Sequence, residues 1–444
     1  MGNSWLWEQP IKPLLSTEWF SRLSHFSKLF VGFSGGLDST VLLHVLACHP
    51  ALFAKIVAVH VNHGISARAS LWQQHCQQVC DLLNIPLIAH SVEFERSANI
   101  EEGARIARYD FFSSLMKEQD CLLLGHHMDD QAETVLLQLF RGAGVDGLAA
   151  MSELSAFGPG EIARPFLSHS REQLEHYAVQ HQISWIEDES NQDVNYSRNY
   201  LRHQIIPLLK RKWTGVAGNI ARTALHCQQA KRNLDVLAAQ DALAPENPNS
   251  LTQNSLLITP LKELNRDRMA NVLRMWLKNN RVQLPSTVTF ERLIDEMIFA
   301  RSDAIPQVSW GDVTVRRYQD HLYLVRKNKN KLPPSLEWGA FPSPLIIIDA
   351  GIHLQAKKHN PGLLIPPGTK IYVRFRVGGE KIVWRGQTKQ LKKLFQEWGI
   401  PPWIREQTPL IYFDDTLAAV AGYAMSDLFF SQEANDTWDF INFA

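Results

Sequence analysis

Short apolar runs alternate with stretches of helical periodicity through the first half of the chain. Residues 29–33 (Leu-Phe-Val-Gly-Phe) are apolar and aromatic, and so short a run reads as a buried strand. Residues 16–28 before it have the spacing of a short amphipathic helix, and residues 41–46 after it continue at helical spacing. Residues 55–63 alternate at their end and predict a second strand, 67–83 a helix, 87–92 a third strand, 101–112 a helix and 121–125 a fourth strand. A strong helical run follows at 135–140. The order β-α-β-α-β implies an α/β fold with a doubly wound parallel sheet, whose ligands bind off the C-terminal strand ends.

From Trp213 the pattern changes. Residues 219–242, 260–279 and 288–301 have helical periodicity, 244–250 form a loop, and 306–327 read as hairpin strands. Residues 328–335 are polar, basic and proline-ended, as a linker should be. Beyond 338, runs such as 345–348, 372–376 and 410–413 look like strands. The expected organisation is a doubly wound α/β domain over 1–215, a small mostly helical domain over 216–332, and a small α+β domain over 338–444.

At 444 residues the chain is long enough for two or three domains with a substantial core. The formal net charge is zero, so only local clustering speaks to a polyanionic partner. Between 351 and 410 there are eleven Lys or Arg against three Glu, a footprint suited to nucleic acid. Trp384, Phe395, Trp398 and Trp403 lie among these charges, placed either to stack bases or to form core. The five cysteines are scattered without a C-x-x-C pair, which argues against a zinc ribbon or an iron–sulfur site and suits a reducing compartment. No signal pattern and no run of eighteen apolar residues is present, and a cytoplasmic protein without membrane contact is expected.

The first strand ends in Ser34-Gly35-Gly36-Leu37-Asp38-Ser39-Thr40. Two glycines permit positive φ and close approach of a ligand, and the helix behind them offers unpaired N–H groups, so this is an anion site. It lacks the Gly-Lys-Ser/Thr ending of a Walker loop and the spacing of a dinucleotide fingerprint. His60, Asn62 and His63 fall at the tip of the second strand as candidates to line the same pocket. Arg105 and Arg108 share a helix face, either solvated against Glu101 and Glu102 or turned toward phosphates. The fourth strand ends in His126-His127-Met128-Asp129-Asp130-Gln131-Ala132-Glu133. Such a cluster is costly to bury and fits Mg²⁺ or a cationic substrate; zinc lacks a third soft ligand at suitable spacing. The glycine-rich stretch 141–147 is expected to cover the site. Asp188, Asn191 and Asp193 are turn formers, and Arg198, Asn199 and Arg202 open a helix able to meet phosphates or acids.

The string Ser34 to Ser39 resembles the pyrophosphate loop of the N-type ATP pyrophosphatases. More specifically, Gly125 to Thr134 with Arg141-Gly142-Ala143-Gly144, and Ala104 to Tyr109, resemble the tRNA(Ile)-lysidine synthetase family. So do Arg164 to Leu167, Trp185 to Asp193, Tyr196 to Arg202 and the C-terminal motifs 374–380, 391–395 and 400–405. The resemblance implies a ligase that uses ATP and Mg²⁺ to join L-lysine to the wobble cytidine of an isoleucine tRNA with a CAU anticodon. It implies ATP binding by Ser34, Gly35, Gly36, Leu37, Asp38 and Ser39, with Asp38 as the Mg²⁺ contact. Asp38, Arg108, His127, Asp130 and Glu133 form the expected catalytic set. Lysine or tRNA contacts are expected among Asp129, Asp188, Asn191, Arg198, Asn199, Arg202, Arg374, Arg376, Lys392, Lys393 and Arg405, with a homodimer among the expected partnerships. The competing expectations are a tRNA thiolase on the same ATP domain and a silent tRNA-binding protein that senses ATP; the absence of paired cysteines weighs against the first.

Overall fold

The computed structural model describes residues 14–443 apart from 63, 65–67, 93–99, 188, 243–254, 302–303, 327–331, 348–351 and 435; of 100, 101, 190, 191, 442 and 443 it describes the backbone alone. His63, Asp188 and the first half of the expected linker therefore lie outside the described residues. The chain divides into two compact units, 1–233 and 234–444. No helix among the described residues is long and apolar enough to cross a membrane.

The first unit is built on a six-stranded sheet. Its strands are β1 (Lys28–Gly32), β2 (Ile56–Asn62), β3 (Leu87–Ser91), β4 (Asp120–Leu123), β5 (Leu154–Phe157) and β6 (Gly160–Ala163), in the order β3-β2-β1-β4-β6-β5. All pairings are parallel except that of β5 with β6. The closing β5–β6 hairpin had no clear sequence signal. Val31 pairs with both Ala58 of β2 and Leu123 of β4. Strand order reverses between β1 and β4, which opens a crevice at their C-terminal ends.

Both faces of the sheet are covered, which is why β1 and β4 read as continuous apolar runs rather than alternating ones. On one face Leu29, Val31 and Phe33 pack with Leu42, Leu46 and Cys76 from helices α2 (Leu37–Ala47) and α4 (Ala69–Leu83). On the other, Phe30, Val59 and Leu122 pack with Phe112 and Met116. Burying a side chain such as Leu42 contributes roughly 1.5–3 kcal/mol. Helix α1 (Thr17–Ser24) and α3 (Pro50–Phe53) close the first face; α5 (Ile100–Leu115) lies on the second. The helix after β4, α6, spans Met128–Phe140, so it starts seven residues before the apolar run that announced it.

In the second unit, helices Arg266–Asn279 and Thr287–Arg292 share a core with a four-stranded antiparallel sheet. That sheet includes Gln307–Trp310, Val313–Tyr318 and His321–Arg326, the expected hairpin region. The remainder is mostly β: a five-stranded sheet carrying Ile371–Arg374 and Leu410–Phe413, a second sheet around Ile352–Leu364, and a two-stranded hairpin, Lys381–Trp384 with Gln387–Gln390.

Candidate active site

The loop after β1 is shaped by its own side chains. Gly35 takes φ +83°, and a Cβ there would come 3.0 Å from the Cys76 sulfur. Ser39 Oγ accepts from the Ser34 amide at 3.2 Å and donates to the Gly36 carbonyl at 3.0 Å, while Thr40 Oγ1 donates to the same carbonyl at 2.8 Å. Gly36 is the N-cap of α2 and supplies no side-chain cap, so the first-turn amides of the helix remain open to an anion. Leu37 turns its side chain into the core at 4 % exposure. Only its backbone is left for a ligand, a narrower role than its place in the motif suggested.

The tip of β4 lies directly against this loop. A Cβ on Gly125 would meet the Asp38 carbonyl at 2.8 Å, so only glycine lets the end of β4 touch the first turn of α2. His127 follows as the N-cap of α6, its amide donating to Asp130 Oδ2 at 3.0 Å. The acids therefore stand in the opening turns of a helix, one face toward the crevice. A third segment closes the loop, since the Ile186 amide donates to the Gly35 carbonyl at 2.9 Å.

A cleft of about 910 Å³ results. Its lining includes Ser34, Gly36, Asp38, Ser39, His60, Trp72, Arg108, His126, His127, Asp129, Asp130, Glu133, Arg171, Arg198, Asn199, Arg202 and Lys210. Most of the expected residues of the first unit thus converge, Arg108 among them, whereas Asn62 and Arg105 are not part of the lining. The stretch 141–147 does not cover the cleft. It follows the C-terminus of α6, and thirteen helical residues carry it roughly 20 Å from the N-terminal end.

The acids carry partners. Arg198 Nε donates to Glu133 Oε2 at 2.7 Å and Arg202 Nε to Glu133 Oε1 at 2.6 Å. Both guanidiniums also reach Asp130 Oδ1, at 3.2 and 2.9 Å. Asp129 accepts from Lys210 Nζ at 2.7 Å and from the Arg171 amide, at the start of the helix Arg171–Gln180, at 3.0 Å. Asp130 and Glu133 are thus already neutralised, which removes them as open seats for an incoming ammonium. Burial opposes ionisation of Asp130, but the neighbouring His127 ring and the Arg198 and Arg202 guanidiniums outweigh it and hold its carboxyl well below the usual range. Asp129 is likewise held low: the Arg171 amide and Lys210 overcome the opposing effect of burial.

Asp38 is the contrast. Burial pushes its pKa up, against the lowering influence of His127. Its Oδ1 is buried without a hydrogen bond, and its Oδ2 lies 3.7 Å from His127 Nε2. The His127 ring, 1 % exposed, has neither nitrogen hydrogen-bonded. It stands 3.4 Å from Asp130 Oδ2 and 3.8 Å from Asp129 Oδ2. The neighbouring His126 is pushed down to about 3 by burial, so it stays neutral.

Arg171 and Lys210 escaped the sequence reading. Lys210 had a signal: Arg198, Arg202, Ile206 and Lys210 recur every fourth residue. In an α-helix such a row drifts about 40° per step. The π-helical turn Leu201–Ile205 widens the coil between Ser197–Tyr200 and Ile206–Lys212 and offsets that drift, so all four line the cleft. Asn199 serves the frame, its Nδ2 donating to the Asp193 carbonyl at 2.9 Å. The side chain of Asn191 is outside the described residues.

In the second unit the basic candidates separate. Arg405 is 8 % exposed and donates to the Ile400 carbonyl at 2.7 Å and to Tyr318 Oη at 3.1 Å; it is a core residue, not an RNA contact. Arg374 pairs with Asp415 at 2.9 Å and lies over the Tyr412 ring, and Arg376 stands 3.8 Å from Glu380. Lys392 and Lys393 are exposed and, among the described residues, have no ion pair. Phe395 is fully buried, and Trp398 packs edge-on to it.

A glycine loop at the switch point of a parallel sheet, backed by a helix N-terminus, defines a nucleotide-binding PP-loop domain, and the family model described as PP-loop domain matches residues 8–209. Models described as TilS substrate binding domain and TilS substrate C-terminal domain match residues 256–323 and 371–442. The chain is 60 % identical over 431 residues to a tRNA(Ile)-lysidine synthase of Legionella pneumophila (strain Lens), covering 97 % of this chain and 99 % of the relative. It is 40 % identical over 432 residues to that of Serratia proteamaculans (strain 568), covering 96 % and 97 %. Among solved structures, a U34-tRNA thiolase from Methanococcus maripaludis is similar with a TM-score of 0.40 and 17 % identity, covering 48 % of this chain and 75 % of that one. The chain belongs to the tRNA(Ile)-lysidine synthase family.

Proposed function

We propose that the chain converts the wobble cytidine of an isoleucine tRNA with a CAU anticodon into lysidine, using ATP and L-lysine. The full-length likeness to lysidine synthases carries this reading, and the cleft supplies the means. The C2 oxygen of the cytidine attacks the α-phosphorus of ATP; an O–P bond forms and the bond to pyrophosphate breaks. The open amides at the N-terminus of α2 hold the leaving pyrophosphate, and Arg108 supports them. The lysine ε-amine then attacks C2, and the C2–O bond breaks to release AMP.

A lysine ammonium has a pKa of about 10.4 in water and must lose a proton first. His127 is the group we assign to take it, since its ring nitrogens carry no hydrogen bond and carboxylates flank it. Asp130 and Glu133 instead fix Arg198 and Arg202 toward the cleft. The donor set fits Mg²⁺ in one respect: Asp38 Oδ1 is a buried oxygen without a partner beside the phosphate loop. Mg²⁺ takes one or two carboxylates and fills its shell with phosphates and water. Asp38 would hold it there, and the ion supplies charge neutralisation at the phosphate oxygens.

The thiolase alternative meets a physical obstacle. Burial pushes Cys76, Cys80 and Cys121 up to about 12, far from the thiolate needed for sulfur transfer. The test is a purified reaction with ATP, labelled lysine and the isoleucine tRNA. Pyrophosphate release that needs the tRNA, with lysine joined to it, is expected. Pyrophosphate release without any lysine incorporation overturns the reading.

A further inference from the structure

Two helices that begin at the cleft end beside one another. The first, α2, starts at the phosphate loop; the second, Arg171–Gln180, holds Asp129 by its first amide. Their C-terminal ends carry a cluster of side chains that the reaction does not use. His44 lies on α2 and Cys48 is its C-cap, and the Cys48 amide still donates to the His44 carbonyl at 3.0 Å. Tyr177 and His181 repeat that spacing on the second helix, the His181 amide donating to the Tyr177 carbonyl at 3.0 Å. Residues four apart share a helix face, so each helix presents a pair.

The pairs meet. Leu174 and Ala178 belong to the core that also holds Val41 and Val45. His44 Nδ1 is 3.1 Å from Tyr177 Oη. The His181 ring is 5.3 Å from that of His44 and 4.1 Å from that of Tyr177, centroid to centroid. Cys48 Sγ is 3.8 Å from His44 Nδ1 and 3.9 Å from its Nε2. Tyr177 Oη can accept from Nδ1, which leaves Nε2 with its lone pair. A second nitrogen fixed by a hydrogen bond is the usual setting of a metal-bound imidazole. Around tetrahedral zinc, bonds of ~2.05 Å to nitrogen and ~2.3 Å to sulfur put the two donors about 3.6 Å apart. The observed 3.9 Å between Nε2 and Sγ is close to that. Among the described residues no three His, Cys, Asp or Glu side chains already converge as a cage. Cys48 and His181 are exposed, so the third donor comes in by rotation of the His181 side chain. The carbonyl ends of two helices favour a cation there.

We infer that His44 Nε2, Cys48 Sγ and His181 bind one Zn²⁺ ion, with water in the fourth position, and that the ion clamps α2 to the helix Arg171–Gln180. The thiol proton passes to solvent as the thiolate coordinates. Two imidazoles and a thiolate select a borderline-soft cation over Mg²⁺, which takes oxygen. Cys48 stands ten residues beyond Asp38, roughly 15 Å along the helix, so this site is separate from the phosphate loop.

The test is a Co²⁺ titration of the full chain after chelation, because cobalt bound to a thiolate absorbs in the near ultraviolet. A band that saturates at one equivalent, yields to Zn²⁺ and survives about a hundredfold excess of Mg²⁺ is expected. C48S should abolish it, whereas C76S, at the other cysteine beside a histidine, should keep it. H181A should weaken Co²⁺ at least tenfold, and Y177F, which removes only the hydrogen bond to His44, about tenfold. Zn²⁺ should raise the thermal midpoint of the parent chain and leave that of C48S in place. Absence of the band, a band that survives C48S, or H181A with unchanged affinity overturns the proposal. A parent midpoint that does not move with Zn²⁺ overturns the clamp. Should C48S fail to fold, alkylation of the parent chain decides. Zn²⁺ should shield Cys48 and not Cys227; equal labelling of Cys48 with and without Zn²⁺ overturns the site.

Discussion

Asp38 has two oxygens in different surroundings. One is buried without a partner, and the other faces His127. Because burial raises its pKa, its folded value lies above the unfolded one. The stability it contributes is present at low pH and lost as pH rises through the raised value. Asp38→Asn removes that penalty, so its urea midpoint at pH 7 should equal or exceed that of the parent. Pyrophosphate release should fall by about 10²–10³ with tRNA binding retained, as filter binding would check. Asp130 has the opposite sign. Its depressed pKa means stability present above the unfolded value near ~3.9 and lost as pH falls through the folded one. The urea midpoint should drop steeply below about pH 4, and Asp130→Asn should flatten that drop while lowering the midpoint at pH 7. A parent chain with a flat acid limb would contradict the Arg198 and Arg202 pairing. The sequence named these residues; it did not tell that Asp130 is spoken for and Asp38 is not. Partnership of charges is decided by residues 60 or more positions apart.

At the scale of elements, the cleft depends on the end of β4 meeting the first turn of α2. Gly125→Ala pushes a methyl against the Asp38 carbonyl, and backbone cannot swing aside as a flexible side chain does. ATP affinity should fall at least tenfold, by calorimetry. Gly144→Ala is the control: it has negative φ and nothing within 4 Å, so it should leave affinity unchanged. Parallel strands and the β1 loop were legible, because a strand buried on both faces and a glycine turn leave local marks. The helical start at Met128 was not. His-His-Met-Asp-Asp has no apolar periodicity, and two of its amides bond outside the helix ladder, that of His127 to Asp130 Oδ2 and that of Met128 to the His169 carbonyl. The β5–β6 hairpin closes an edge with four-residue strands, too short for a pattern to stand out.

At the scale of the molecule, a neutral chain keeps its basic excess local. Several of the eleven cations in 351–410 are spent on neighbours: Lys358 on Asp436, Lys370 on Glu337, Arg374 on Asp415 and Lys389 on Glu397. The exposed Lys392 and Lys393, on the helix Leu391–Glu397, remain for a polyanion. Replacing both by Glu should weaken tRNA binding and reduce its salt dependence, by about 0.7–0.9 in logarithmic slope per lost phosphate contact. ATP affinity, measured by calorimetry, should not change. Equal loss of both would end this division of labour between the units.

The sequence by itself determined the strand–loop–helix order, the phosphate loop and the identity of the clustered side chains, because these follow from period, turn chemistry and residue type over a few neighbours. Only the tertiary structure decided what each side chain does. Folding paired Asp130 and Glu133 with arginines from another helix, buried Arg405, sank Leu37 into the core, and left Asp38 and His127 without hydrogen-bonding partners. Local pattern fixes which way a residue faces, whereas its charge state and partners depend on the distant chain that packs against it.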